Sequence, residues 1–382
     1  MINKLAKYAD HFFFAGANIL LGSCVAKYGT EGAFNNFVLG VTIALFVYGF
    51  IKFVFVNALA VGVIKFSKNT VAGLSVYHLC FSLLGIICYY YETAYADIVV
   101  FATFLISVYL GIDYYRFFFI EKGSYIKSPL FSVLFFFFVS INYCLSSFLD
   151  VDYLQFSMCV AMLILFVISF IRFIFSGRRG EFGKGVGEFH SCLYWLANSM
   201  LSHAPVVFMS LYKPKMAAGF YALRTIFNVV STFLRPKEVD FRLSLKYGVD
   251  ERKEVLAFLR LAFLMFWGVA VIVSLLRERI FETLYSDSFD LNFADVLVFS
   301  LYMLLNWMPL LLEGIATKQG NVRKLSEARF YDLVLLFIVL AGCYLIDADF
   351  ILVVFVLMLS AIPSYFLLFR VVSVGNRRGC EG

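Results

Sequence analysis

The stretch AAGFYALRTIFNVV, residues 217–230, sets Arg224 among apolar side chains. A guanidinium cannot be discharged at physiological pH, so inside an apolar environment it needs partners that replace its water. Asn228 and Ser231 follow at i+4 and i+7, which puts all three on one helical stripe, a pattern suited to the wall of a polar cavity. His203 lies as far before Pro214 as Arg224 lies after it, to within a residue, so a tight hairpin brings both to similar depth, and Pro205 kinks the first of the two helices beside them. The bland alternatives are a guanidinium that snorkels to headgroups and a histidine bonded to a neighbouring helix. Lys52, with Tyr48 at i−4, either faces an inner vestibule or snorkels. Glu313 and Asp332 are the residues to consider for ion coupling. Glu313 has Lys318 nearby as an alternative partner, and Asp332 has Arg329 at i−3, just as Asp113 has Arg116 at i+3.

Other chemistries are unsupported by the residue pattern. Seven of the 8 cysteines fall in apolar runs and Cys380 lies in the tail, with no CxxC pair. His11, His78, His190 and His203 form no HExxH or His-Cys grouping, so no metal is expected. Walker and GxSxG motifs are absent, as is any long polar segment to house a conventional active site; no cofactor is expected, and a carrier fits better than an enzyme.

The elements that must position these residues follow from composition. The chain of 382 residues is 62% hydrophobic and 15% charged, with 47 Phe, and its mean hydropathy is +0.87. A water-soluble fold has nowhere to bury so much apolar surface. Twelve windows are each long enough to cross roughly 30 Å of hydrocarbon as a helix: 10–28, 34–59, 71–91, 95–118, 128–147, 152–175, 189–211, 216–235, 255–276, 292–315, 325–346 and 350–372. The first is read as an uncleaved helix. Of the 32 Lys and Arg, Lys27, Lys213, Lys215, Arg277 and Arg279 sit in one set of alternate turns and Lys52 and Arg224 inside spans; all the rest cluster on the opposite side. The positive-inside rule then predicts that both termini are cytoplasmic. The net charge of +6 describes that inner rim, which topology and anionic lipid explain without nucleic acid. The polar loop 235–254 reads as an amphipathic interfacial helix.

SGRRGEFGKGVG, 176–187, is basic and glycine-rich and separates six windows from six. The division predicted is an N-terminal lobe 1–175, a cytoplasmic linker 176–188 and a C-terminal lobe 189–382, an all-α polytopic membrane protein with its lobes around a central cavity. Each half also opens on an Ala-Asn helix, beginning at Ala17 and Ala197, that runs through Tyr and a Gly-containing turn into a Phe-containing helix.

Three places carry a family resemblance: Tyr28-Gly29-Thr30-Glu31-Gly32 in the first outer turn, Ala218-Gly219-Phe220-Tyr221-Ala222 at the start of the eighth helix, and Lys318-Gln319-Gly320-Asn321-Val322-Arg323 after Leu284-Tyr285-Ser286-Asp287-Ser288-Phe289. In these the sequence resembles the polysaccharide-exporter branch of the multidrug/oligosaccharidyl-lipid/polysaccharide transporter superfamily, the Wzx-type O-antigen flippases. It departs from many relatives in carrying Pro205 where they have an acid. The resemblance implies the MATE-like fold of that superfamily and a flippase for an undecaprenyl-pyrophosphate-linked oligosaccharide in the bacterial inner membrane. It also implies a polysaccharide polymerase and a chain-length regulator as partners. In that setting Arg224, with Asn228, His203 and Lys52, would hold the pyrophosphate or an acidic sugar while the lobes alternate access. The alternatives are a polysaccharide polymerase, which the short outer turns disfavour, and an ion-coupled drug antiporter, which usually needs buried acids.

Overall fold

A computed structural model describes residues 2–29, 32–51, 68–91, 95–146, 148, 151–175, 189–244, 251–285, 291–318, 322–362 and 364–366. Among these residues the chain is helical with no strand. Twelve α-helices follow in order: α1 (Ile2–Tyr28), α2 (Ala33–Ile51), α3 (Lys68–Tyr90), α4 (Ala96–Glu121), α5 (Leu130–Leu145), α6 (Val151–Phe175), α7 (Phe189–Tyr212), α8 (Pro214–Ser244), α9 (Glu251–Leu284), α10 (Phe293–Lys318), α11 (Val322–Leu345) and α12 (Phe350–Ser360). They answer the twelve apolar windows one for one. Eight of them are long and apolar enough to cross a membrane, and α5, α12 and the first half of α10 are shorter apolar helices. The chain is a multi-pass membrane protein.

One expectation changes. Rather than forming a separate interfacial helix, residues 235–244 prolong α8, and α9 begins at Glu251. Pro236 removes one hydrogen bond of the ladder, but Lys, Glu, Arg and Leu around it sustain a helix well, and helicity continues past the point where the apolar pattern stops.

The chain divides into two compact units, residues 1–187 with 284–286, and residues 188–283 with 287–382. In the first, α4 is the central helix, packed against α2, α3 and α6. Every residue from Val100 to Tyr115 is buried, as a helix apolar on all sides requires. Gly40 lets α2 approach closely, because a Cβ there would lie 2.8 Å from the Phe101 Cβ and 2.9 Å from the Ile98 carbonyl oxygen. Polar anchors hold both ends of α4. Near its start, Asp97 accepts from Asn36 of α2 at 3.2 Å and from Gln155 of α6 at 2.8 Å. Towards its other end, Arg116 binds Asp10 of α1 through two nitrogens, one at 3.0 Å, and also Asp113. Ser132 of α5 donates to Asp10, and Tyr48 of α2 to Asp113.

His78 joins three helices of the same unit. Its Nε2 lies 3.1 Å from the Ser107 carbonyl of α4 and its Nδ1 2.8 Å from the Ser169 hydroxyl of α6. A carbonyl only accepts, so Nε2 carries the proton and Nδ1 takes the hydroxyl's. Both ring nitrogens are satisfied, which marks His78 as a packing residue.

In the second unit α8 is the buried helix, contacting α7 and α10, while α7 packs on α11 and α12 on α10 and α11. Phe220 of α8 meets Phe299 of α10 edge-on with centroids 4.9 Å apart. At the end where α7 turns into α8, Lys213 bonds the Asp347 carboxylate at 2.9 Å and the Ala348 carbonyl at 2.9 Å, and the Tyr212 hydroxyl donates to Asp347 at 2.6 Å. This clamp ties the α7–α8 turn to the α11–α12 turn.

Candidate substrate-binding site

The α7–α8 hairpin is as tight as its sequence demands, with Lys213 alone between the helices and Pro214 as the first helical residue of α8. A first-turn position suits proline because its missing N–H would have had no intrahelical acceptor. Such a hairpin carries Arg224 back to the level of residues 202 and 203. The Arg224 Nη1 donates to the Ser202 carbonyl at 3.1 Å. Pro205 lies three residues further along α7, and its missing N–H removes the intrahelical donor for the Leu201 carbonyl, one residue before Ser202.

Arg224 is half-buried, and its electrostatic neighbours are the phenols of Tyr221, one turn earlier on α8, and Tyr302 on α10. The imidazole of His203 is close enough to feel the guanidinium, and its Nδ1 is buried with no hydrogen-bond partner among the described residues. Among those residues no carboxylate pairs with Arg224. A guanidinium has five N–H donors in a fixed fork, and one carbonyl accounts for a single one. What α7, α8 and α10 of this unit assemble is a permanent cation on an otherwise neutral polar wall, able to receive an anion through hydrogen bonds and to do no covalent chemistry by itself.

The remaining residues of interest fall as follows. Asn228 is exposed on α8 one turn beyond Arg224, whereas Ser231 is buried, so the stripe tilts inward along the helix. Lys52 lies outside the described residues. Glu313 belongs to α10, but its side chain also lies outside them. Asp332 is fully buried on α11, where it receives Arg329 at 3.3 Å and the backbone N–H of Ser364 at 2.9 Å. It is a compensated carboxylate distant in role from the Arg224 cluster, and it fastens α11 to the turn after α12.

Sequence reading missed two charged groups. Asp10 takes a full share of Arg116, which the i, i+3 spacing had assigned to Asp113 alone. The signal was its place at the head of the apolar run DHFFFAGANILL, inside a span. Arg172 of α6, counted only as part of the basic rim, stacks on the aromatic rings of α4.

No known family matches the chain and no curated protein is similar to it. Among solved structures, one described as the crystal structure of MATE in the bent conformation is similar over 98% of this chain and 95% of its own, with 11% identity and a TM-score of 0.49.

Proposed function

We propose that the protein is a membrane flippase that carries a lipid-linked, pyrophosphate-bearing oligosaccharide across the bacterial cytoplasmic membrane by alternating access of its two six-helix halves. The observation that carries this reading is the state of Arg224, a half-buried guanidinium in a membrane helix with one carbonyl acceptor and no carboxylate among the described residues. Burying such a charge is costly unless a counterion arrives. A pyrophosphate supplies one, and the tail of its lipid stays in the bilayer while only the polar head has to cross. Asn228 lines the same path in this reading, and any ion coupling falls to Glu313, because Asp332 is already committed to Arg329 and the Ser364 amide.

The test is the fate of lipid-linked intermediates in a strain lacking the gene, with labelled undecaprenyl-linked glycan and a membrane-impermeant probe. Complete repeat units trapped on the cytoplasmic face are expected. Single units accumulating on the outer face would replace this reading with a polymerase, and unchanged pools would replace it with a drug antiporter. In the complemented strain, Arg224→Ala should abolish surface glycan at normal protein level and Arg224→Lys should retain part of it, because a lysine keeps the charge but loses the fork. Normal glycan in the Ala variant would remove Arg224 from the mechanism.

A further inference from the structure

The ends of α4 and α6 in the first unit hold two cations over one ring. The guanidinium carbon of Arg172 lies 3.6 Å from the Phe118 centroid, close to stacking contact, and 4.9 Å from that of Tyr115. The ammonium of Lys122 lies 5.9 Å from the same Phe118 centroid. The two charges are therefore within roughly 10 Å of one another, about a Debye length at ordinary ionic strength, and each feels the other.

Nothing described offsets them. Tyr114, Phe118 and Lys122 share one stripe of α4 at i, i+4 and i+8. Asp113 and Arg116 sit on another side of that helix, where Arg116 already engages Asp113 and Asp10. Among the described residues no carboxylate pairs with Arg172 or Lys122. The C-terminal ends of α4 and α6 each contribute only about half a negative charge, so among the described side chains the two full cations outweigh them. The setting is also lipid-facing, because Ile171, Ile174 and Phe175, the neighbours of Arg172 on α6, are all exposed, Phe175 by 82%.

We infer that Arg172 and Lys122 form a phosphate-anion site filled by the headgroup of an anionic phospholipid. The aromatic shelf fixes the guanidinium plane, so its N–H edge can meet phosphate oxygens in a bidentate fashion without first losing side-chain freedom, while the acyl chains lie against the apolar end of α6. The ring stacking is what separates this site from the remaining basic rim, whose lysines attract anions only as mobile charges. It requires nothing of Arg224 or of the transport reading.

The experiment uses the full chain in neutral detergent, titrated with phosphatidylglycerol, phosphatidylcholine or inorganic phosphate. The readouts are the thermal unfolding midpoint and the lipids retained in native mass spectrometry. Phosphatidylglycerol should raise the midpoint and stay bound where phosphatidylcholine does not, and Arg172→Gln should weaken its apparent affinity about fivefold or more, the loss expected for one interfacial cation. Lys122 is exposed, so Lys122→Gln should fold normally and weaken binding in the same sense, which keeps the test open if Arg172→Gln misfolds. Equal protection by inorganic phosphate would overturn the lipid assignment. Undiminished phosphatidylglycerol binding in both variants would overturn the site.

Discussion

Replacing Arg116 by Met should destabilise the first unit more than any single change elsewhere in its charged network. The guanidinium joins two helices, bonding Asp113 within α4 and Asp10 of α1, and the carboxylates it serves are further held by Ser132 of α5 and Tyr48 of α2. Side-chain exposure is 15% for Arg116 and 4% for each carboxylate, so water screens the cluster weakly. At an effective dielectric near 20, two unit charges about 4 Å apart gain roughly 4 kcal/mol. Two such attractions outweigh the repulsion between Asp10 and Asp113 but are largely offset by the desolvation of three charges. The net worth of the intact cluster is therefore small, whereas the cost of removing only its cation is large, about 3–5 kcal/mol, because two carboxylates are then buried without compensation. That corresponds to a loss of about two to nearly four powers of ten in the folded-to-unfolded ratio. Denaturant unfolding of the purified protein in detergent would measure it. The combined variant Asp10→Asn/Arg116→Met/Asp113→Asn keeps acceptors for Tyr48 and Ser132 while removing all three charges, so it should recover most of the loss. Wild-type stability of Arg116→Met, or a triple variant as unstable as the single one, would refute the reasoning.

A Cβ at Gly40 would meet the backbone of α4, whereas one at Gly85 would lie 2.6 Å from the Met162 Cε and 2.8 Å from the Thr103 Oγ1, both on side chains that can move. Gly40→Ala should therefore cost about 1–3 kcal/mol by overpacking and Gly85→Ala clearly less, as read from denaturant midpoints. In the second unit the hydrogen bond from Tyr212, with Lys213 beside it, holds the Asp347 carboxyl below the usual carboxylate range. The unfolded chain then takes up that proton first as pH falls, so the clamp's contribution is present above about pH 4 and is lost as pH falls further, through the lower folded value. Unfolding midpoints measured from pH 6 downward should fall less steeply for Asp347→Asn than for the wild type. Because Asp347 is exposed, the difference should be small and should shrink in high salt. His78→Leu should loosen α3 from α4 and α6 together, and faster hydrogen exchange in all three helices would report it.

The helices were legible because hydrocarbon demands an unbroken apolar run, whereas a helix of the same length at a water-exposed surface would carry a polar face. Their ends were less so. At Ser244 of α8 and at Ile2 of α1 the helix outlasts the apolar pattern, because a backbone ladder needs only tolerant residues whereas a span needs greasy ones. Local spacing revealed the pairs Asp113–Arg116 and Arg329–Asp332, which lie within one helix. It did not reveal Asp10, whose partner is 106 residues away, nor the Ser364 amide that completes Asp332. The tight α7–α8 turn, written in Tyr212-Lys213-Pro214, is why the common depth of His203 and Arg224 was readable: when one residue separates two helices, counting outward from the turn fixes height.

Four arginines inside or at the rim of spans show what decides a role that composition leaves open. Arg116 has two carboxylates, Arg329 has Asp332, and Arg172 has a shelf of rings at the lipid boundary. Arg224 has, among the described residues, one carbonyl and a neutral wall. The first two are closed circuits: an anion approaching either would have to displace a carboxylate already in place, and removing one member strands another, so they belong to stability. The last two keep donors in reserve, and an anion approaching them neutralises charge rather than competing for it. A guanidinium held open in this way is costly in a membrane unless the charge it lacks is supplied in use, and that asymmetry, more than depth or helix number, is the ground on which we propose Arg224 for the substrate and Arg172 for the lipid.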